Sequence, residues 1–387
     1  MSVAKEISLL VKDVAGGPRI ALKRHFLVTA VFVLACVAFV VVAFYRFKHG
    51  LGVTGLNDNT PWGVWTALKL AFVVSSGGAF VLTGMVYIFK MERFRPLVRS
   101  AALIGLLGYS SFALTLVFEL GFPWRIVNPV YLHNGASILF EIAWCVMLYL
   151  TVLTLEFLPN LFERLKMQKS LKLFKTLTPS FVVAGIVLSV LHQSSLGSRF
   201  VVTPYKMNQL WYTPWVGAFF IISAIFCGMS MVILAELGMA AFDKREPRLD
   251  LAGDVGRFSI MFLALYLGFK IADIAERADA RADLMAFDLK SLLFLLEIGL
   301  GVAVPIALFA SEKIRGSARG LGFSAALVVL FGGGLNRLNV SVIALDHSPL
   351  GYRPNWVEYL FIPAMIVLVS GVYVILTRLF PIHASSR

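Results

Sequence analysis

Four side chains able to hold or pass a proton lie in or beside stretches that otherwise exclude charge: Glu141, His192, Tyr109 and Arg99. Glu141 sits in Leu139-Phe140-Glu141-Ile142 with no cation within one helical turn. A carboxyl so placed is either neutral or paired with another helix. It is interhelical glue, or a proton-carrying group beside a redox or transport site. His192 opens His192-Gln193-Ser194-Ser195-Leu196-Gly197-Ser198 at the expected end of a helix. An imidazole, an amide and hydroxyls meet there. They suit a carbonyl-bearing ligand such as a quinone, with the imidazole passing a proton. The alternative is helix capping and a turn at Gly197. Tyr109, in Gly108-Tyr109-Ser110-Ser111, is a packed aromatic or a relay from Glu141 inward. Arg99 taken alone is an interface anchor.

The elements that carry these residues are membrane helices. Of 387 residues, 59% are hydrophobic and 15% charged. A hydrocarbon core takes about 20 apolar residues per helical crossing. Ten runs qualify, at 26–45, 63–89, 99–120, 134–158, 176–193, 213–242, 255–273, 286–310, 319–337 and 357–380. Alternate connecting segments, counted from the N-terminus, hold 22 Lys/Arg against 9 in the others. By the positive-inside rule both termini are cytoplasmic and the number of crossings is even. The net charge of +13 is then the cytoplasmic rim meeting anionic lipid, not a nucleic-acid surface. The first apolar run lacks a small-residue cleavage site and reads as a retained helix. No connecting segment is long enough for a soluble catalytic domain.

The two halves echo each other. Thr60-Pro61-Trp62 and Thr213-Pro214-Trp215 open the second and sixth runs at an offset of 153, and Glu141-Ile142 and Glu297-Ile298 lie 156 apart. A repeat of four helices keeps both copies pointing the same way across the membrane. The expected fold is an all-α polytopic membrane protein with two parallel four-helix bundles and flanking helices. Its segments are a cytoplasmic stretch 1–25, the first helix and outer loop 26–62, one bundle 63–193, a connecting loop 194–212, a second bundle 213–340, and a closing loop, helix and tail 341–387.

Other intramembrane polar residues lean to the outer side: Glu119, Lys270, Asp273, Asp288, Lys290, Asn336, Arg337 and Glu358. Each costs about 2.5–3.5 kcal/mol at a bilayer centre and asks for a reason. Lys270 to Asp283 reads as a helical extension with i,i+4 ion pairs, or a docking surface. Arg337 either holds a partner's carboxylate or snorkels. Six histidines include no pair facing across helices, which argues against haem. Cys36, Cys145 and Cys227 stand singly in apolar runs and read as core residues. Gly332-Gly333-Gly334 lacks the lysine of a phosphate loop.

Several motifs, in order and spread over most of the chain, resemble one family. They are Leu56-Asn57 with Pro61-Trp62-Gly63-Val64-Trp65, and Pro96-Leu97-Val98-Arg99 with Gly108-Tyr109-Ser110. Leu139-Phe140-Glu141 and Leu155-Glu156-Phe157 with Leu161-Phe162-Glu163-Arg164-Leu165 follow. His192 to Gly197, and Pro354-Asn355-Trp356 with Glu358, complete the set. The family is the NrfD/PsrC (polysulfide-reductase-like) superfamily, and within it the HybB-type membrane subunits of hydrogenase-2-type nickel-iron hydrogenases. The segments Gly332 to Asn339 and the acidic stretch after Asp273 depart from that pattern.

The resemblance implies a quinone-binding subunit of the bacterial inner membrane with no redox centre of its own: no haem and no iron-sulfur cluster. Menaquinone or ubiquinone would be its exchangeable substrate. Its outer-face partners would be a ferredoxin-like iron-sulfur subunit and the nickel-iron hydrogenase small and large subunits. Glu141, His192, Tyr109 and Arg99 match positions tied in the family to quinone chemistry and proton transfer. The expected quinone-binding set is Asn57, Asp58, Trp62, His192, Gln193 and Ser194. The competing readings are an equivalent subunit of a polysulfide, nitrite or cytochrome-linked complex, a secondary transporter, and a structural anchor. Transport is disfavoured by the parallel repeat and the outward lean of the polar residues.

Overall fold

The computed structural model describes residues 26–57, 60–202, 207–345, 352–380 and 382. Among these are ten helical spans long and apolar enough to cross a membrane, and no strand. They are α1 (Phe26–Val53), α2 (Val64–Tyr87), α3 (Glu92–Glu119), α4 (Ile138–Arg164) and α5 (Gln168–Val202). The rest are α6 (Val216–Asp243), α7 (Leu249–Glu276), α8 (Leu289–Ala310), α9 (Ala318–Leu345) and α10 (Trp356–Leu379). The chain is an all-α polytopic membrane protein.

Local sequence sets the helix starts. Ser137 caps α4, its hydroxyl accepting from the Phe140 N–H at 3.4 Å. Asn355 and Glu358 form a capping box at the head of α10. Pro96 stands in the first turn of the long helix in α3, where its missing N–H costs nothing.

Three boundaries differ from the sequence expectation. First, α4 starts at Ile138 rather than 134, so Glu141 lies in its first helical turn. Second, α5 does not end at His192. It runs through Gly197 to Ser198 and on into a 3-10 turn. The polar run there marks burial against neighbouring helices, not the membrane surface. Third, α9 continues past Arg337, through a π-helical stretch at Val328–Leu335 and on to Leu345. The glycine triplet widens that helix without ending it.

Packing follows two closed rings. In the first, α2 touches α3, α3 touches α4, α4 touches α5, and α5 returns to α2. In the second, α6, α7, α8 and α9 close in the same order. The rings meet where α6 crosses α2. A Cβ on Gly77 would lie 1.9 Å from the Ala224 carbonyl, and one on Gly228 would lie 1.8 Å from the Gly78 nitrogen. Only glycine permits that backbone-to-backbone approach, and α2 breaks its helix at Gly77 to make it. Helices α1 and α10 pair with each other beside α3. Arg46 of α1 caps the end of α3, donating to the Phe118 and Leu120 carbonyls at 2.8 Å each. That clamp holds Glu119, the last residue of α3, in place.

Candidate functional site

The start of α2, the end of α3 and the end of α5 lie at one face of the first ring and gather its polar residues. His192, fully buried, presents its ring to Tyr109 and Phe112 of α3, with centroids 5.3 Å and 5.5 Å away. Neither imidazole nitrogen has a hydrogen-bond partner. The Tyr109 hydroxyl and the Ser189 hydroxyl, one turn before His192, are likewise buried and make no hydrogen bond of normal length, with Ser189 in reach of both Tyr109 and Tyr149. Tyr109 stacks edge-on to Tyr149 of α4 at 4.4 Å. An orphaned buried polar atom costs about 1–3 kcal/mol. Several of them on facing helices mark a place where a polar ligand or water belongs.

Three cluster members carry charge. Lys69 of α2 forms a buried ion pair with Glu119, whose other oxygen accepts from Thr66 at 2.8 Å. The Lys69 ammonium lies 5.7 Å from the Phe112 ring centroid, on the same ring that touches His192. Arg199, in the last turn of α5, lies against Trp62 and Phe200, and its Nε and Nη2 bond nothing. Sequence reasoning assigned no site role to Lys69, Phe112 or Arg199, and gave Glu119 none beyond its cost. The signal for Lys69 was a lone lysine inside an apolar run. Arg199 was counted as an outer-loop charge because α5 was expected to stop short of it.

The expected site residues divide into three groups. His192, Tyr109 and Trp62 come together around the cluster. Glu141 stands at its edge, exposed, and bonded to the Ser195 hydroxyl at 2.5 Å. That hydroxyl also reaches the Leu191 carbonyl at 2.9 Å. Gln193 turns away, its amide donating to the Val73 carbonyl at 3.2 Å. Ser194 faces the α5–α6 crossing at Gly217. Asn57 sits in an exposed turn, where its side chain accepts from the Thr60 N–H at 3.0 Å. Asp58 lies outside the described residues. Arg99 is at the opposite end of α3, paired with Glu163 at 2.8 Å. Ten residues separate it from Tyr109, about 15 Å along the helix axis.

The second ring holds a cluster of its own. Glu297 of α8 accepts from Trp211 Nε1 at 2.9 Å, Asn336 Nδ2 at 2.7 Å and Asn339 Nδ2 at 2.8 Å. Arg337 neither snorkels nor ends its helix. It is 1% exposed, stacks on Phe220 with Cζ 3.6 Å from the ring centroid, and bonds Asn336 and the Ser223 hydroxyl. Asp273 accepts from Thr213 at 2.7 Å and from Arg277 at 2.7 Å, the latter an i,i+4 ion pair on α7.

The described residues contain no group of His, Cys, Asp and Glu able to hold a metal ion. The sequence profile described as "Polysulphide reductase, NrfD" matches residues 52–344, which takes in both rings. The chain belongs to the NrfD family. Among its NrfD-related neighbours in sequence is the probable Ni/Fe-hydrogenase 2 b-type cytochrome subunit of Escherichia coli. That protein is 31% identical over 353 residues, covering 87% of each chain. The menaquinone reductase integral membrane subunit of Nitratidesulfovibrio vulgaris is 27% identical over 372 residues, covering 89% of this chain and 88% of its own. The Hdr-like menaquinol oxidoreductase integral membrane subunit of Archaeoglobus fulgidus is 23% identical over 384 residues, covering 90% and 92%.

Proposed function

We propose that this NrfD-family chain is the quinone-interacting membrane subunit of a respiratory oxidoreductase complex, and that the quinone half-reaction takes place at the His192 cluster. The observation that carries the reading is the set of buried, unpartnered polar atoms on His192 and Tyr109. Two relatives named for menaquinone or menaquinol chemistry, each aligned over nine-tenths of this chain or nearly so, support it.

Reduction of a quinone takes two electrons and two protons. In this reading the electrons come from a partner subunit. This chain's part is to hold the headgroup and move protons. His192 and Tyr109 offer hydrogen-bond donors to a carbonyl oxygen from adjacent helices. The Phe112 and Trp62 rings supply flat apolar walls. Glu141, exposed and accepting from the Ser195 hydroxyl, is the group that exchanges protons at the edge. Arg99 and Glu163 would belong to an exchange point at the other face, where the loop charge argues for cytoplasm. The finer assignment follows the hydrogenase-type relative: an outer-face iron-sulfur subunit and a nickel-iron hydrogenase pair in the bacterial inner membrane.

The test is electron flux from the assembled complex to quinone in Glu141→Gln and His192→Ala variants, beside donor-side activity with an artificial acceptor. Flux should fall at least about tenfold, about 1.4 kcal/mol, while the donor side is unchanged. Full flux from correctly assembled variants would sink the reading. Subunits that co-purify in mild detergent identify the partner: a molybdenum or multihaem protein in place of a hydrogenase moves the complex elsewhere in the family.

A further inference from the structure

A guanidinium keeps its proton at any pH a protein survives. A buried one therefore needs an anion or a set of acceptors around it. Arg199 is 7% exposed, and its Nε and Nη2 find neither among the described residues. Its guanidinium lies beside two aromatic rings that meet edge-on, with Cζ 5.3 Å from the Trp62 centroid and 4.7 Å from that of Phe200. Those contacts hold the group by its faces and leave Nε and Nη2 without an acceptor.

The acid in this cluster is already committed. Glu119 gives one oxygen to Lys69 and the other to Thr66. Glu119 lies within electrostatic reach of both Lys69 and Arg199, so the three together carry one surplus positive charge, and Arg199 is the member with unused donors. His192, on the same helix, adds two unpartnered nitrogens and no negative charge. Arg46, from α1, is occupied by backbone carbonyls.

We propose that Arg199 makes this a site selective for anionic quinones, rings bearing an ionised oxygen, over the same rings with that oxygen methylated. The inference rests on the quinone reading above and names the ligand class within it. The ionised oxygen of a 2-hydroxy-1,4-naphthoquinone takes the Nε and Nη2 donors in charge-assisted hydrogen bonds and compensates the surplus positive charge of the cluster. A methoxy ring supplies a weak neutral acceptor and leaves the charge uncompensated. Trp62 and Phe200 act as positioning residues that hold the guanidinium through their ring contacts.

The experiment measures binding of a 2-hydroxy-3-alkyl-1,4-naphthoquinone and its 2-methoxy counterpart to the purified full-length protein at neutral pH. The proteins are wild type, Arg199→Gln and Arg199→Lys. In the wild type the hydroxy compound should bind at least about tenfold tighter. Arg199→Gln should erase that preference and leave methoxy affinity within about threefold, which also shows that the variant folds. Arg199→Lys keeps the charge but loses the planar fork, so it should retain part of the preference and stands in if the glutamine variant does not fold. Equal affinity for the two rings in the wild type overturns the inference and leaves the quinone reading intact. So does a preference unchanged in both variants. If neither ring binds the wild type, the quinone reading falls and the anion preference falls with it.

Discussion

In the first ring, both nitrogens of His192, the hydroxyls of Tyr109 and Ser189, and two nitrogens of Arg199 are buried without partners. In the second ring, Glu297 receives three donors, and Arg337 is stacked and bonded, with Asn339 Oδ1 left over. The rings close in the same order, and the two clusters share two corresponding positions, α2 with α6 and α5 with α9, but differ in the third, α3 in one and α8 in the other. Burial imposes the same requirement on both, that each polar atom be satisfied. Apart from Asn339 Oδ1, the Glu297 cluster meets it from within, which makes it part of what holds α6, α8 and α9 together. The His192 cluster leaves it to something that comes from outside. A self-satisfied network rigidifies, whereas an unsatisfied one, enclosed by rigid helices, is prepared for a ligand.

This contrast predicts opposite consequences for comparable substitutions. The largest effect on stability should come from Glu297→Leu, which strands the donors of Trp211, Asn336 and Asn339 and should cost about 3 kcal/mol. Thermal unfolding in detergent measures it, and a variant as stable as wild type would show that the second cluster is not structural. His192→Leu should do the reverse. Its nitrogens have no partner to lose, so unfolding should move by no more than about 1 kcal/mol. Electron flux to quinone should meanwhile fall about a hundredfold, about 2.7 kcal/mol in the barrier.

A smaller effect should follow from Gly197→Ala. Its new methyl would lie 2.8 Å from the Gly217 Cα and the Val216 carbonyl, pressing α5 off α6. The expected cost is about 1–3 kcal/mol, together with weaker quinone binding, because His192 rides on the same helix. Unchanged binding in a destabilised protein would separate the crossing from the site.

The smallest effect lies outside both clusters. Tyr352 donates to Glu358 and accepts from the Val64 N–H at 3.0 Å, tying the head of α10 to α2. Burial first, and the Glu358 carboxylate second, raise its phenol above the ordinary value of 10.0. A raised folded value means that its stabilisation is complete below the unfolded value and is lost as pH rises above it. Tyr352→Phe should therefore cost about 1 kcal/mol near neutrality and flatten the alkaline fall in melting temperature that the wild type shows. A parallel fall in both proteins would rule this tyrosine out as its cause.

The fold was largely legible from the sequence because membrane burial leaves a strong mark. Ten apolar runs became ten helical spans, and the motifs from Pro61-Trp62 to His192-Gln193 pointed to the family whose profile matches. The helix ends were harder to read. His192-Gln193-Ser194-Ser195 looks like a surface turn when polarity alone is considered, but these residues face α3, α2, α6 and α4 in turn. That same error hid Arg199, which lies beyond the expected helix end. The pairing of Lys69 with Glu119 was illegible for another reason: the two are 50 residues apart and meet only because α2 and α3 run antiparallel. Asn57, by contrast, belonged to a sequence motif and yet stands in an exposed turn away from His192. Motif membership did not say which way its side chain faces.

The most direct test of the contrast is photolabelling of the intact protein with an azido-naphthoquinone, followed by peptide mapping. Label on the segments around Trp62, Tyr109 and His192 to Arg199, displaced by excess menaquinone, is the predicted result. Displaceable label on the Trp211, Glu297 or Asn336 segments, or none above background anywhere, would contradict the account.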